Sequence, residues 1–293
     1  MADISVSIIS NDNRELVLSC LDSIFKTAAG MDIEVIVIEN HSADGSAQAI
    51  RGRFPSLRLI ENEKKEGFSA NHNKALKVAA GEYVLILNDD TVLHEGALAA
   101  MLKFMRANPG AGAVGGMLLN PDGSPQYTGK DRPTVAAALM ISLGLHRLFP
   151  GNPVTSRYFL RKGGYGEVEE VESLNGAAMM IRREAFMKVG PFDEKFFLFC
   201  EDVDYSIRLK DAGYRLYFLP GAKITHYRGA STGGRRIVWI YHRSLFHFYR
   251  KHYARRRFFL FNWAVYAGIV MRLMVFLVYG NVRRRGGGAY GRG

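Results

Sequence analysis

Two acidic clusters, far apart in the chain, carry the residue types that do chemistry. The first is Asn88, Asp89 and Asp90, which follow the apolar run YVLIL at 83–87 and precede Thr91. Two carboxylates and an amide oxygen are hard donors, suited to Mg²⁺ or Mn²⁺ bound together with substrate phosphates rather than to a soft thiolate metal. Asn and Asp also form turns, so a plain strand-ending turn is the competing reading. The second cluster is Glu201, Asp202 and Asp204, at the start of a helical pattern over 203–212 that Gly213 ends. Acids in a helix's first turn are favoured by its dipole, and capping alone would account for them.

The elements that must hold these residues alternate in type. A short apolar run bounded by polar residues reads as a strand buried on both faces, and in open α/β sheets ligands collect outside the carboxyl ends of such strands. Strands are expected at 4–9, 33–38, 57–60 and 83–87. Each ends in a polar tip: Asn11, Asp12 and Asn13; Glu39 to Ser42 with Asp44 and Gly45; Asn62; and the Asn88 cluster. Helical patterns follow at 16–25, after Asp44, and from 66–69, where Ser69 can cap a helix carrying Asn71, Asn73 and Ala75. Right-handed crossovers then bring the four tips to one edge. A helix at 97–105 and a strand near 113–119 come next. The stretch 120–168 is irregular, and its apolar part, 135–148, reads either as a packed helix or as a surface facing a lipid-linked substrate. In LNGAAMMI, Gly176 interrupts a strand where a ligand can approach the backbone.

At 293 residues, 48% hydrophobic and 23% charged, the chain is ordered and long enough for one large α/β domain with an appendage. Its net charge of +11 is unevenly spread: residues 212–293 hold 16 of the 39 Lys and Arg and none of the 28 acids. That asymmetry points to an anionic partner for the C-terminal part. Cys20 and Cys200 have neither metal-like nor disulfide-framework spacing. The N-terminus reads as a first strand rather than a leader, so the body is expected in the cytosol. No Gly-x-Gly-x-x-Gly follows the first strand and no Gly-Lys-Ser/Thr loop occurs, which disfavours dinucleotide oxidoreductases and P-loop NTPases.

Seven segments in order, VSIISNDN, IENHSADGS, EGFSANHNKAL, LNDDT, LNGAAMMIRREAF, VGPFDEKFFLFCEDVDYSIRLKDAGY and ITHYRGAS, resemble family 2 glycosyltransferases of GT-A fold, and most of all the bacterial rhamnosyltransferase branch. The resemblance spans about residues 4–253. It implies a Rossmann-like α/β fold with a mixed, mostly parallel sheet flanked by helices. It also implies an inverting transfer from a nucleotide-diphosphate sugar, with a divalent cation, Mg²⁺ or Mn²⁺, bridging the diphosphate. Asp202 matches the catalytic base, and Asp90 and His226 match metal ligands. Candidate nucleotide-sugar contacts are Ser10, Asp12, Glu39, Asn40, Asn71, Asn88, Asp89 and Gly176. The chain departs from the family pattern at Glu39, where most members have Asp, at Asp12, which replaces an aromatic residue, and at Asn88, which replaces the first acid.

The chemistry agrees with that division of labour. Inversion at an anomeric carbon needs a base opposite the leaving group, and the departing diphosphate needs its growing charge stabilised. The expected organisation is a catalytic domain over 1–232, with a nucleotide-sugar half at 1–119 and an acceptor half at 120–232, then a basic, apolar helical extension over 233–293. Within the extension, 258–280 is long enough to span a bilayer but contains Asn262 and Arg272, and spanning would export Arg283 to Arg285. An in-plane or hairpin-like membrane helix is therefore preferred, with arginines on anionic headgroups, and a packed core helix is the alternative. The best reading is transfer of L-rhamnose from its dTDP donor to a lipid-linked or polysaccharide acceptor at the cytosolic membrane face, with no nucleic-acid partner. An inactive binding scaffold and a nucleotidyltransferase are the rivals.

Overall fold

A computed structural model of the chain describes residues 2–28, 30–126, 129–130, 134, 140, 148–149, 152–154, 166–227 and 234–286. Most of the apolar stretch 135–148 lies outside the described residues.

Parallel pairing starts at β1 (Ile4–Ser10), which has β2 (Ile33–Glu39) on one side and β4 (Tyr83–Asn88) on the other. β3 (Arg58–Glu61) extends the sheet beyond β2. The chain thus steps outward from β1 to β3 and returns to the other side of β1, making a topological switch between β1 and β4, where ligands collect in such sheets. β10 (Ala178–Arg182) lies antiparallel between β4 and β6 (Ala111–Leu119), and β11 (Arg215–His226) runs parallel to β6. The outer half of β11 pairs with β5 (Thr91–Leu93), and its inner half with β8 (Glu169–Val171). A separate two-stranded piece joins β7 (Gly129–Lys130) and β9 (Ser173–Leu174).

Helices cover both faces, as continuous apolar strands require. Tyr83, Leu85 and Leu87 enter one core with α1 (Arg14–Thr27) and α4 (Ala97–Ala107), and α2 (Ser46–Arg53) adds Ile50. Val84 and Ile86 enter the other core with α3 (Phe68–Val78), α5 (Arg183–Val189) and α6 (Glu201–Asp211). Ser5 and Ser7, alternating with the apolar residues of β1, are buried. Their hydroxyls are satisfied inside, Ser7 Oγ by His72 Nδ1 at 2.7 Å and Ser5 Oγ by the Gly81 N–H at 2.7 Å.

His72 has a measurable consequence. Complete burial lowers its pKa from 6.5 to about 3, so the folded chain keeps it neutral. Below the unfolded pKa the unfolded chain gains a proton that the folded chain refuses, so stability falls as the pH drops from 6.5 toward 3. Between pH 6.5 and pH 5 this group alone should cost about 2 kcal/mol. Urea midpoints at the two pH values should differ more for the wild type than for His72→Leu; equal differences would refute the assignment.

The expected cap of the third helix is corrected. The residue before α3 is Gly67, and no side chain caps the helix. Gly67 serves a close approach instead, since a Cβ there would lie 2.5 Å from the Phe197 carbonyl oxygen. That carbonyl accepts the Phe68 N–H at 2.7 Å, which ties α3 to the segment leading into α6.

The extension forms two helices, α7 (Arg235–His252) and α8 (Phe259–Gly286). Buried ion pairs fasten α7 to the body. Asp204, with its side chain fully buried, meets His252 Nε2 and Lys251 Nζ, each at 2.7 Å, and Arg208 Nε at 3.0 Å. Lys251 also reaches Asp193 at 2.8 Å, beside His247 at 3.1 Å. α8 is one continuous helix rather than a hairpin, and it packs on α7. Asn262 accepts the Tyr249 hydroxyl at 2.7 Å, and Arg272 turns inward over the rings of Tyr241 (5.0 Å) and Phe276 (5.1 Å). Arg272, one of the two arguments against a membrane span, and Asn262 therefore serve the contact with α7. The window Phe259–Leu277, mean hydropathy 1.7, is long and apolar enough to cross a membrane, and of its side chains only Ile269 is buried within the chain.

Candidate active site

Asp89 and Asp90 form the turn between β4 and β5, at the switch point of the sheet. Both are buried and face different partners. Asp89 accepts the Asn11 backbone N–H at 3.1 Å and the Asn13 amide at 3.4 Å. Burial, and after it the Asp90 carboxylate, raises its pKa to about 7. Asp90 points toward β11. The register pairs His226 with Thr91, and the Tyr227 N–H donates to the Asp90 carbonyl at 2.9 Å, so His226 Nε2 comes to 3.3 Å from Asp90 Oδ1.

Gln126 settles which histidine nitrogen carries the proton. Its amide N–H groups donate to the carbonyls of His226 (2.7 Å) and Leu119 (3.2 Å), leaving Oε1 to accept from His226 Nδ1 at 2.9 Å. Nε2 therefore presents a lone pair toward a carboxylate oxygen that is buried and accepts no hydrogen bond. The Asn88 amide makes one long contact with Nε2, at 3.5 Å; the Nε2 lone pair and the Asp90 oxygen, 3.3 Å apart, repel each other unless a cation lies between them, and a nitrogen with a carboxylate oxygen suits Mn²⁺ or Mg²⁺. Among the described residues no three His, Cys, Asp or Glu side chains converge on one point, so the protein offers a partial ligand set.

The opposite rim carries Asp202. Phe199 and Cys200, with φ of 72° and 67°, are consecutive non-glycine residues in the left-handed region and launch α6. Such backbone costs about 1–3 kcal/mol per residue, and it persists where the surroundings enforce it. Asp202 is pinned by two N–H donors, Gly176 at 3.2 Å and Val203 at 2.8 Å. A Cβ on Gly176 would stand 3.2 Å from the Phe68 ring and 3.4 Å from the Asp202 Cβ. Glycine there keeps the turn between β9 and β10 close to the carboxylate.

Asp90, His226 and Asp202 all line one cleft of about 790 Å³, together with Asn40, Asn71, Asn88, Asp89 and Gly176. Asn40 and Asn71 belong to an amide network: the Asn62 amide donates to the side-chain oxygens of both, at 2.9 and 2.6 Å. Ser10, Asp12 and Glu39 stand outside the lining. Ser10 is buried, Asp12 is ion-paired to Lys65, and Glu39 braces its own turn through the Ser42 N–H at 2.8 Å. Several lining residues went unrecognised in the sequence: Lys65, Asn175, Arg236, Ile237, Ile240 and Tyr241. The last four lie at i, i+1, i+4 and i+5 along α7, one helical face, so the extension forms part of the wall. That spacing was readable, but nothing local says that this face meets a cleft.

The glycosyl transferase family 2 model matches residues 5–190. N-acetylglucosaminyl-diphospho-decaprenol L-rhamnosyltransferase of Mycobacterium tuberculosis is 32% identical over 212 residues, covering 69% of this chain and 68% of the relative. Among solved structures, mannosyltransferase PcManGT from Pyrobaculum calidifontis, in complex with GDP-Man and Mn²⁺, superposes with a TM-score of 0.59 at 18% identity, covering 98% of this chain and 80% of its own. GalNAc-T7 with UDP, GalNAc and Mn²⁺ gives a TM-score of 0.58 at 16% identity, covering 82% of this chain and 48% of its own. The fold shared with these neighbours is GT-A.

Proposed function

Since this chain belongs to glycosyl transferase family 2 and is a glycosyltransferase, we propose that it moves L-rhamnose from dTDP-rhamnose, with inversion, onto a lipid-linked saccharide at the cytosolic membrane face. The observation that carries this reading is the convergence of Asp90 and Asp202 on one cleft. The donor and the acceptor class follow the mycobacterial relative, whose name specifies a diphospho-decaprenol acceptor.

In this reading Asp202 takes the proton of the acceptor hydroxyl as that oxygen attacks the anomeric carbon from the face opposite the diphosphate. Its two backbone donors fix the direction of the carboxylate, and the glycine turn leaves room for the sugar beside it. The Asn40–Asn62–Asn71 network and Asn11 hold the rim at the carboxyl ends of β1 and β2, suited to the nucleoside. Asp90 and His226 would hold a divalent cation, which supplies Lewis-acid stabilisation to the departing diphosphate. Gln126 keeps the His226 lone pair directed inward.

Membrane association is proposed for α8. Leu260, Trp263, Met271 and Met274 are each at least 60% exposed, in a segment rich in arginine and lacking acids. Apolar and cationic groups together suit an anionic lipid surface. One assay tests donor, acceptor and surface. Purified protein with Mn²⁺, labelled dTDP-rhamnose and vesicles of phosphatidylcholine and phosphatidylglycerol bearing N-acetylglucosaminyl-diphospho-polyprenol should label the lipid, and the protein should float with the vesicles. Label that follows a different nucleotide sugar would replace the donor assignment. A Leu260→Glu/Trp263→Glu variant that floats undiminished would remove α8 from the membrane contact.

A further inference from the structure

Glu201, immediately before the proposed base, is a further acid of the cleft with an unused buried oxygen. It is 6% exposed and lines the cleft, and its Oε2 is buried without a hydrogen-bond partner. Its carboxyl receives its own backbone N–H, and the charged groups acting on it are Asp202 and Asp204, both carboxylates. Arg208, Lys251 and His252 all pair with Asp204 rather than with Glu201. The bond to its own N–H, in the first turn of α6, leaves Oε2 unused. Burial, reinforced by the charges of Asp202 and Asp204, holds the Glu201 carboxyl well above the usual carboxylate range and so favours its protonated form. A protonated carboxyl has one O–H to give, and a buried donor left unused is destabilising.

We propose that Glu201 is a substrate-binding residue whose carboxyl O–H donates a hydrogen bond to a hydroxyl oxygen of the acceptor sugar, beside the hydroxyl that Asp202 deprotonates. The inference rests on the reading of Asp202 as base. Glu201 itself exchanges no proton in the reaction. A neutral donor can be replaced by an amide, whereas a carboxylate acting through its charge cannot, and this separates the two possibilities.

The test compares Glu201→Gln with Glu201→Ala in the full chain, using N-acetylglucosaminyl-diphospho-polyprenol as acceptor. Glu201→Gln should keep kcat and acceptor KM within about threefold of wild type. Glu201→Ala should raise acceptor KM about 10- to 100-fold, the loss of one buried hydrogen bond, with the donor Kd unchanged. The same comparison in an Asp202→Asn background, read as equilibrium binding of the acceptor, needs no turnover. It separates failure of the base assignment, which would appear as retained transfer by Asp202→Asn, from failure of this one. A Gln variant as impaired as the Ala variant, or an Ala variant with unchanged acceptor binding, overturns the proposal.

Discussion

Asp202→Asn should lower kcat about 10³-fold while leaving the affinity for nucleotide sugar unchanged. Asparagine has nearly the same shape, and its side-chain oxygen can still accept the Gly176 N–H, so the turn between β9 and β10 should keep its place, while the Val203 N–H at the start of α6 loses its acceptor. What disappears is the ability to accept the acceptor's proton as the new bond forms, and a positioned base contributes about 10²–10⁴-fold. The loss therefore belongs in kcat. A donor titration by calorimetry beside steady-state transfer checks both halves; transfer within tenfold of wild type would assign the base elsewhere.

Removing the other acid should have a comparable effect through a different quantity. Asp90→Ala deletes the buried oxygen opposite His226 Nε2, and kcat/KM should fall by about 10³-fold or more, the equivalent of several kcal/mol of lost charge stabilisation. Chelation of the wild type with EDTA should reproduce the loss, and excess Mn²⁺ should reverse it; the variant should stay inactive under the same addition. Gln126→Leu should be milder, weakening the response to Mn²⁺ by about 10- to 100-fold, because it frees the imidazole without removing a ligand. Transfer that persists in EDTA would eliminate the cation from this reading.

The strands and the acidic tips were legible because a fully buried parallel strand writes its burial into consecutive residues and its end into polar ones. Tyr83–Asn88 and Ile33–Glu39 show this, with boundaries displaced by a single residue. The helix pattern at 203–212 falls on α6, Glu201–Asp211, for the same reason. Partners separated by long stretches were not legible. His226 depends on Gln126, 100 residues earlier, and on a strand register that no local pattern encodes. Ser69 reads as the cap of α3 because nothing local shows Phe197 pressing on Gly67 from 130 residues away. Arg272 looked like an obstacle to a bilayer because composition does not reveal that it turns toward α7.

Lys251 bridges Asp193 and Asp204, and Asp204 lies two residues beyond Asp202. The outer helical pair is thereby riveted to the turn that aims the proposed base, and prising it loose would take Lys251 and His252 from the buried Asp204 and leave it paired with Arg208. A flat surface gripping the outermost helix would consequently set the compass bearing of the whole pocket, so that an alcohol tethered to that surface arrives from one fixed side.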